Sequence, residues 1–449
     1  MVGRKPSPFA PKRKTALKGR GTARPKKTPA YEEEDEEISS APSQKPKKSP
    51  APRRGIKPSA PQEQLSAEDK KKMRRRRQHR RTVVRILVLV LVMTLAAAVW
   101  VHWDVLAPDK LWASIQDMVG GGVGSYPVDL TGTNARRLEQ VNNYTVVLTD
   151  SHLTYYNASG AEVSRYGCSY ADALVRTEGN YVLVAEQGAY RLQLTTRSET
   201  VLALTTEQKI RSVALNAKGQ IAVLTDGPQG YTVQITVYDK KGKTLYTRKS
   251  NRTVTDVALS HDGTTLTAVS VEAVDGTLNT RLEVFSLSSS SADAVCAYQA
   301  DDTLLYRAAY LSDGTLVAVG EQGIILMNTA DGGVSVYAPD GMYVLGYAVG
   351  GDTVALAMRA YGDTAGGVTV VLSSGGAEQC RTAFSGEFRH LSGCDGRYAL
   401  LTDSAVSALT ADGVVTTMSV QADGRQVIYA EGHLVVMGLN RLESYPVGG

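Results

Sequence analysis

Beyond Trp112 the chain contains no tryptophan, and its 449 residues hold only four cysteines and four phenylalanines. So few cysteines exclude a small fold held together by disulfides. Helical periodicity is missing as well: from residue 125 onward no apolar pattern of period 3.6 persists for ten residues, which leaves an all-β body. HExxH, Walker-type and G-x-S-x-G sequences are absent, so the commonest metalloprotease, nucleotide-binding and serine-hydrolase signatures do not apply. Proline is scarce in the second part, with 11 of 16 before residue 108, and glycine in the first, with four of 42 before residue 85. Residues 1–85 carry 26 Lys/Arg against 9 Asp/Glu and the remainder 24 against 36, so the net +5 averages a cationic tail and an acidic body.

Residues 1–82 lack apolar periodicity and are rich in Lys, Arg, Pro, Ser and Ala, a composition that buries too little apolar surface to offset ordering entropy. Disorder is expected there. The tail ends in a basic run of Lys70, Lys71, Lys72, Arg74, Arg75, Arg76, Arg77, Arg80 and Arg81. Immediately afterwards, Ile86–Trp103 is apolar except for Thr94 and His102, and with Val83 and Val84 it reaches the length of a membrane-spanning helix. Arg85 is placed to snorkel and Trp100 and Trp103 to sit at the far interface. The positive-inside rule puts the tail in the cytoplasm and the body outside the plasma membrane. The basic run then faces anionic headgroups, and nucleic acid is the weaker reading. Cleavage after Leu95-Ala96-Ala97-Ala98 is the rival to an uncleaved anchor, disfavoured by an n-region of some 80 residues. Residues 104–124 read as a short juxtamembrane helix and a Gly-rich hinge.

From residue 125 the period becomes two, and a strand pattern recurs eight times. TVVLTD ends at Asp150, YVLVAE at Glu186, QIAVLTD at Asp226, TTLTAVS at Ser270, TLVAVGE at Glu321, DTVALAM at Met358, RYALLTD at Asp403 and GHLVVMG at Gly438. These ends are 36, 40, 44, 51, 37, 45 and 35 residues apart, the spacing of four-stranded propeller blades. The fold expected over 125–449 is an eight-bladed β-propeller, with seven blades and an irregular extension as the alternative count. The eighth unit lacks an outer strand. Ser125–Leu130 is strand-like and would supply it, since an open ring exposes strand edges. In that strand Tyr126, Val128 and Leu130 share one face.

Five acids, Asp150, Glu186, Asp226, Glu321 and Asp403, end second strands at equivalent places. They form a candidate ring for a cation or basic partner, or simply start polar turns. His152, His261, His390 and His433 are scattered over different units and read as surface or turn residues. No metal or cofactor site is expected. Cys380 and Cys394 flank one unit junction and suit either a bond or, with Cys168 and Cys296, free thiols. Asn143, Asn157 and Asn251 head glycosylation sequons.

The stretches ALSHDGTTLTAVS and YLSDGTLVAVG resemble blades of bacterial WD40-like and quinoprotein-like propellers. Without tryptophan the body has neither the docking motifs nor the indole-floored cofactor site of quinoprotein dehydrogenases, nor the Asp-box of sialidases. Over residues 70–449 the arrangement of basic tail, single span and C-terminal propeller resembles an uncharacterised family of Gram-positive envelope proteins. That resemblance is architectural and implies no activity. The expected function is a non-enzymatic binding or scaffold module, with a protein or cell-wall polymer at the propeller face. An exported hydrolase or lyase, or a transmembrane sensor, are the alternatives.

Overall fold

The computed structural model describes residues 124–288, 293–421 and 423–448, together with Met93. The expected tail and its basic run, the span apart from Met93, and the juxtamembrane segment before Gly124 lie outside the described residues. Among the described residues no helix is long and apolar enough to cross a membrane.

Residues 128–446 form eight antiparallel sheets of four strands each. The first strands of the blades are Arg137–Val141, Ala173–Glu178, Ile210–Leu215, Thr253–Leu259, Leu305–Tyr310, Met342–Gly350, Phe388–Cys394 and Gln426–Ala430. They lie innermost, and the last meets the first. The second strands carry the repeat seen in the sequence, from Tyr144–Leu148 to His433–Met437. Burial explains their composition. Tyr144–Leu148 and Thr315–Gly320 are buried at every position and read as unbroken apolar runs. Outer strands such as Thr244–Ser250 and Glu378–Phe384 alternate between exposed and half-buried residues, because only one face is covered.

The eight-blade count stands, and so does the closure. Val128–Asp129 pairs with Arg441–Leu442 as the outer strand of the last blade. The Leu130 N–H extends the seam by donating to the Asn440 carbonyl at 2.7 Å. The paired segment is shorter than the expected Ser125–Leu130, but the alternation is as anticipated. Tyr126, Val128 and Leu130 turn inward, whereas Pro127 and Asp129 are exposed.

Blades do not have private cores. The buried apolar residues fall into eight clusters, each filling a junction between two neighbouring blades. Three junctions add a buried hydroxyl pair: Tyr155 with Thr195 at 2.9 Å, Tyr310 with Thr267 at 2.6 Å, and Tyr398 with Thr353 at 2.6 Å. Each phenol thereby brings its polar end to a partner while its ring fills the core.

The turns divide the ring into two faces. Turns between first and second strands lie on what we term the back face; turns between second and third strands, and the links between blades, lie on the front face. Back-face turns use left-handed residues where the chain reverses tightly. Gly263, in Ser260–Thr264, has φ +66°, and a Cβ there would run into the Gln220 side chain. In blade 4 the second and third strands, Thr265–Val274 and Thr277–Ser286, outrun the first strand, which stops pairing at Val271. A bare two-stranded hairpin therefore projects from the front face.

Candidate functional site

The inner strands of blades 3 to 7 each carry a β-bulge near their front ends. A bulge adds one residue and re-aims the next side chain along the strand. The residue after it is Ser212, Asp256, Arg307, Gly346 or His390 in successive blades. Three of these form a chain around the channel. Ser212 Oγ donates to Asp256 Oδ1 at 2.6 Å, the Ala308 N–H donates to Asp256 Oδ2 at 3.1 Å, and Arg307 Nη1 lies 3.7 Å from Asp256 Oδ1. Asp256 is 2% exposed, and these hydrogen bonds with the nearby guanidinium replace the water it gives up on burial.

Glu139 lies on the inner strand of blade 1. Burial pushes its carboxyl up to about 7, against the opposing pull of the Arg176 and Arg137 charges. His390 sits mid-strand rather than on a turn or the surface, which corrects the sequence expectation. Its Nδ1 is 3.1 Å from the Val427 carbonyl, and burial lowers its pKa. A cavity of about 1580 Å³ opens from the back-face turns down to Arg176, Asp256, Arg307 and Tyr347.

His261 lies on a back-face turn of blade 4 at the mouth of this cavity. Its Nδ1 is 2.9 Å from Glu178 Oε1 of blade 2 and its Nε2 is 3.1 Å from the Tyr310 carbonyl of blade 5. Both partners accept, so both ring nitrogens donate, which only the imidazolium does. The Glu178 carboxylate is the main cause raising its pKa. The histidine is thus on a turn, as expected, yet it ties three blades across the mouth.

The five acids singled out in the sequence stand on the opposite, front face, each at the start of its turn. Three are held by groups beside them. Glu186 accepts from the Ala171 N–H at 3.0 Å and from Arg191 at 2.8 Å, and these bonds lower its pKa. Asp226 pairs with Arg211 at 2.6 Å, and Asp403 accepts the Glu387 N–H at 3.1 Å. Asp150 and Glu321 are exposed. The acids share a face without converging on one point, and among the described residues no group of three His, Cys, Asp or Glu is arranged to hold a metal.

More distinctive on that face are eight exposed large apolar or aromatic side chains: Tyr190, Tyr231, Val274, Leu278, Leu304, Tyr306, Tyr361 and Leu439. Tyr361, 55% exposed, pairs with the Tyr343 ring at 5.3 Å between centroids. Val274 and Leu278 cap the projecting hairpin. The sequence offered no signal for this gathering, because the eight come from six different blades. All four cysteines are free, Cys380 and Cys394 included. Burial raises Cys168 and Cys394 to about 11, which leaves both as unreactive thiols.

Among solved structures the chain is similar to BamB from Moraxella catarrhalis, at 11% identity and TM-score 0.44, over 71% of this chain and 99% of that one. It is similar also to a eukaryotic initiation factor, at 9% identity and TM-score 0.48, over 73% and 88% of the two chains. Hsv2 from Kluyveromyces lactis matches at 13% identity and TM-score 0.34, over 46% and 73%. No curated protein matches the sequence significantly. The propeller assignment rests on the eight sheets themselves. A family model spans residues 125–444, nearly the whole ring, and the chain belongs to that family, DUF5711, a family of unknown function.

Proposed function

We propose that the chain is a binding or scaffold module of the cell envelope, anchored through residues 83–103 with its propeller outside the cytoplasm, and that a protein docks on the front face. The front-face gathering of tyrosines and aliphatic side chains carries this reading. Exposed aromatics beside polar groups are the composition of recognition surfaces rather than of an ordinary solvated face. The acids Asp150 and Glu321 on the same face favour a partner with basic residues at its rim. The anchoring half rests on the sequence. An apolar run of spanning length comes directly after nine basic residues, and that order supports contact with anionic lipid and a cytoplasmic tail.

Photo-crosslinking side chains placed at Tyr190, Tyr231 and Tyr361 test the docking face. They are expected to trap one common protein in native membranes, while the same probes at Val336 and Val415 on the outer strands do not. Equal trapping from both sets, or none from the front face, refutes it. For the anchor, a reporter active only outside the cytoplasm is expected to work after Gly449 and fail near Ser59. The reverse pattern overturns the orientation.

A further inference from the structure

The floor of the back-face cavity holds more hydrogen-bond donors than the protein satisfies. Arg176, Arg307 and Tyr347 come from blades 2, 5 and 6 and line one cavity, with the Asp256 carboxylate beside Arg307. A guanidinium offers five N–H donors. Arg176 spends one of them, on the Val175 carbonyl at 2.9 Å. Arg307 has Asp256 at 3.7 Å, beyond hydrogen-bond distance, and that carboxylate is already occupied by Ser212 and Ala308. Among the described residues no side chain or carbonyl bonds to the Tyr347 hydroxyl. Glu139, which feels the Arg176 charge, has a carboxyl driven toward its neutral form by burial, so it offsets that guanidinium only in part.

We propose that this floor binds an oxyanion, the carboxylate or phosphate of a small-molecule ligand entering from the back face. Arg176 and Arg307 grip its oxygens from opposite sides of the channel and Tyr347 donates a third hydrogen bond. Paired guanidiniums suit this chemistry because their forked donors match two oxygens at once. The cavity is larger than a bare anion needs and exceeds the usual span of ligand pockets, about 300–1,000 Å³. The ligand therefore has a body as well as a charge. Nearer the mouth the Arg397 guanidinium lies over the Tyr429 ring, 5.5 Å from its centroid, and this pair offers that body a flat polar wall.

The test is calorimetric titration of the full-length, detergent-solubilised protein at fixed ionic strength, with pyrophosphate in one arm and citrate in the other. Saturable binding of one ligand per chain is expected in at least one arm, and the tighter arm distinguishes phosphate from carboxylate. Arg176→Gln and Arg307→Gln are expected to weaken it about tenfold or more, and Tyr347→Phe about threefold to tenfold. Arg307→Lys keeps the charge beside Asp256 and serves if Arg307→Gln does not fold; it is expected to weaken binding less. Arg165→Gln, on an outer strand, leaves the affinity unchanged. The proposal is overturned if neither anion binds saturably at millimolar concentration, or if folded Arg176→Gln and Arg307 variants bind as the parent does.

Discussion

Replacing Leu130 by alanine tests the seam that closes the ring. Leu130 is 2% exposed and packs with Ala135, Leu138, Met437 and Leu442 at the junction of blades 8 and 1. Removing its side chain from water stabilises the fold by about 2 kcal/mol, and the cavity left behind raises the cost of truncation into the range of about 2–5 kcal/mol. The site lies at the end of a short strand, where neighbours relax more easily, so about 3 kcal/mol is expected. For a domain of this size that corresponds to a melting temperature roughly 4 °C lower. Differential scanning calorimetry of the purified protein reads the shift directly. The neighbouring positions provide the control for register. Val128 faces inward and Asp129 is exposed, so Val128→Asp is expected to destabilise markedly and Asp129→Asn hardly at all. A Leu130→Ala protein within about 0.5 kcal/mol of the parent, the range of ordinary surface changes, refutes the claim that this strand holds the ring shut. So does an Asp129→Asn change costlier than Val128→Asp.

Buried groups supply three more tests. His261 has a raised pKa, so its stabilising pairing with Glu178 is complete below the unfolded histidine value and fades as pH rises through the folded one; thermal melts of His261→Gln and parent are expected to converge at high pH, and a difference independent of pH counts against the imidazolium. Glu139 titrates near 7 in the fold and lower when unfolded, so the parent loses stability between those values as pH rises; Glu139→Gln is expected to be more stable than the parent at pH 8, by about 1–2 kcal/mol on urea denaturation, and equal stability refutes the shift. Tyr398→Phe removes the 2.6 Å bond to Thr353 and is expected to cost about 1 kcal/mol on the same assay, whereas a neutral change means the hydroxyl pair contributes nothing.

The sequence displayed the ring but not the interior of its channel. Most second strands are buried on both faces, so they read as largely apolar runs ending at a polar turn, and eight such runs are visible without coordinates. The missing outer strand of the last unit likewise left a gap that only Ser125–Leu130 suited. The channel was hidden for two reasons. Its members are far apart, with 44 residues between Ser212 and Asp256 and 83 between Glu178 and His261. Ser212, Asp256 and Arg307 are also placed by one-residue bulges, which shift register without leaving a composition signal. Turn-starting acids such as Asp226 stood out instead, because acids at turns are conspicuous even when, as with Arg211, a neighbour already pairs them.

The seam also dictates when folding can finish. Seven sheets are built from consecutive residues, and each can form soon after its last strand emerges. The eighth needs Val128 to find Leu442 after the whole ring has been laid down. Such a contact comes late, because a long loop must close before it is rewarded. Until then the two ends present unpaired strands to their surroundings. Two unfinished chains at high local concentration would satisfy the same pairing by exchanging their first strands, in a swapped dimer with every blade complete.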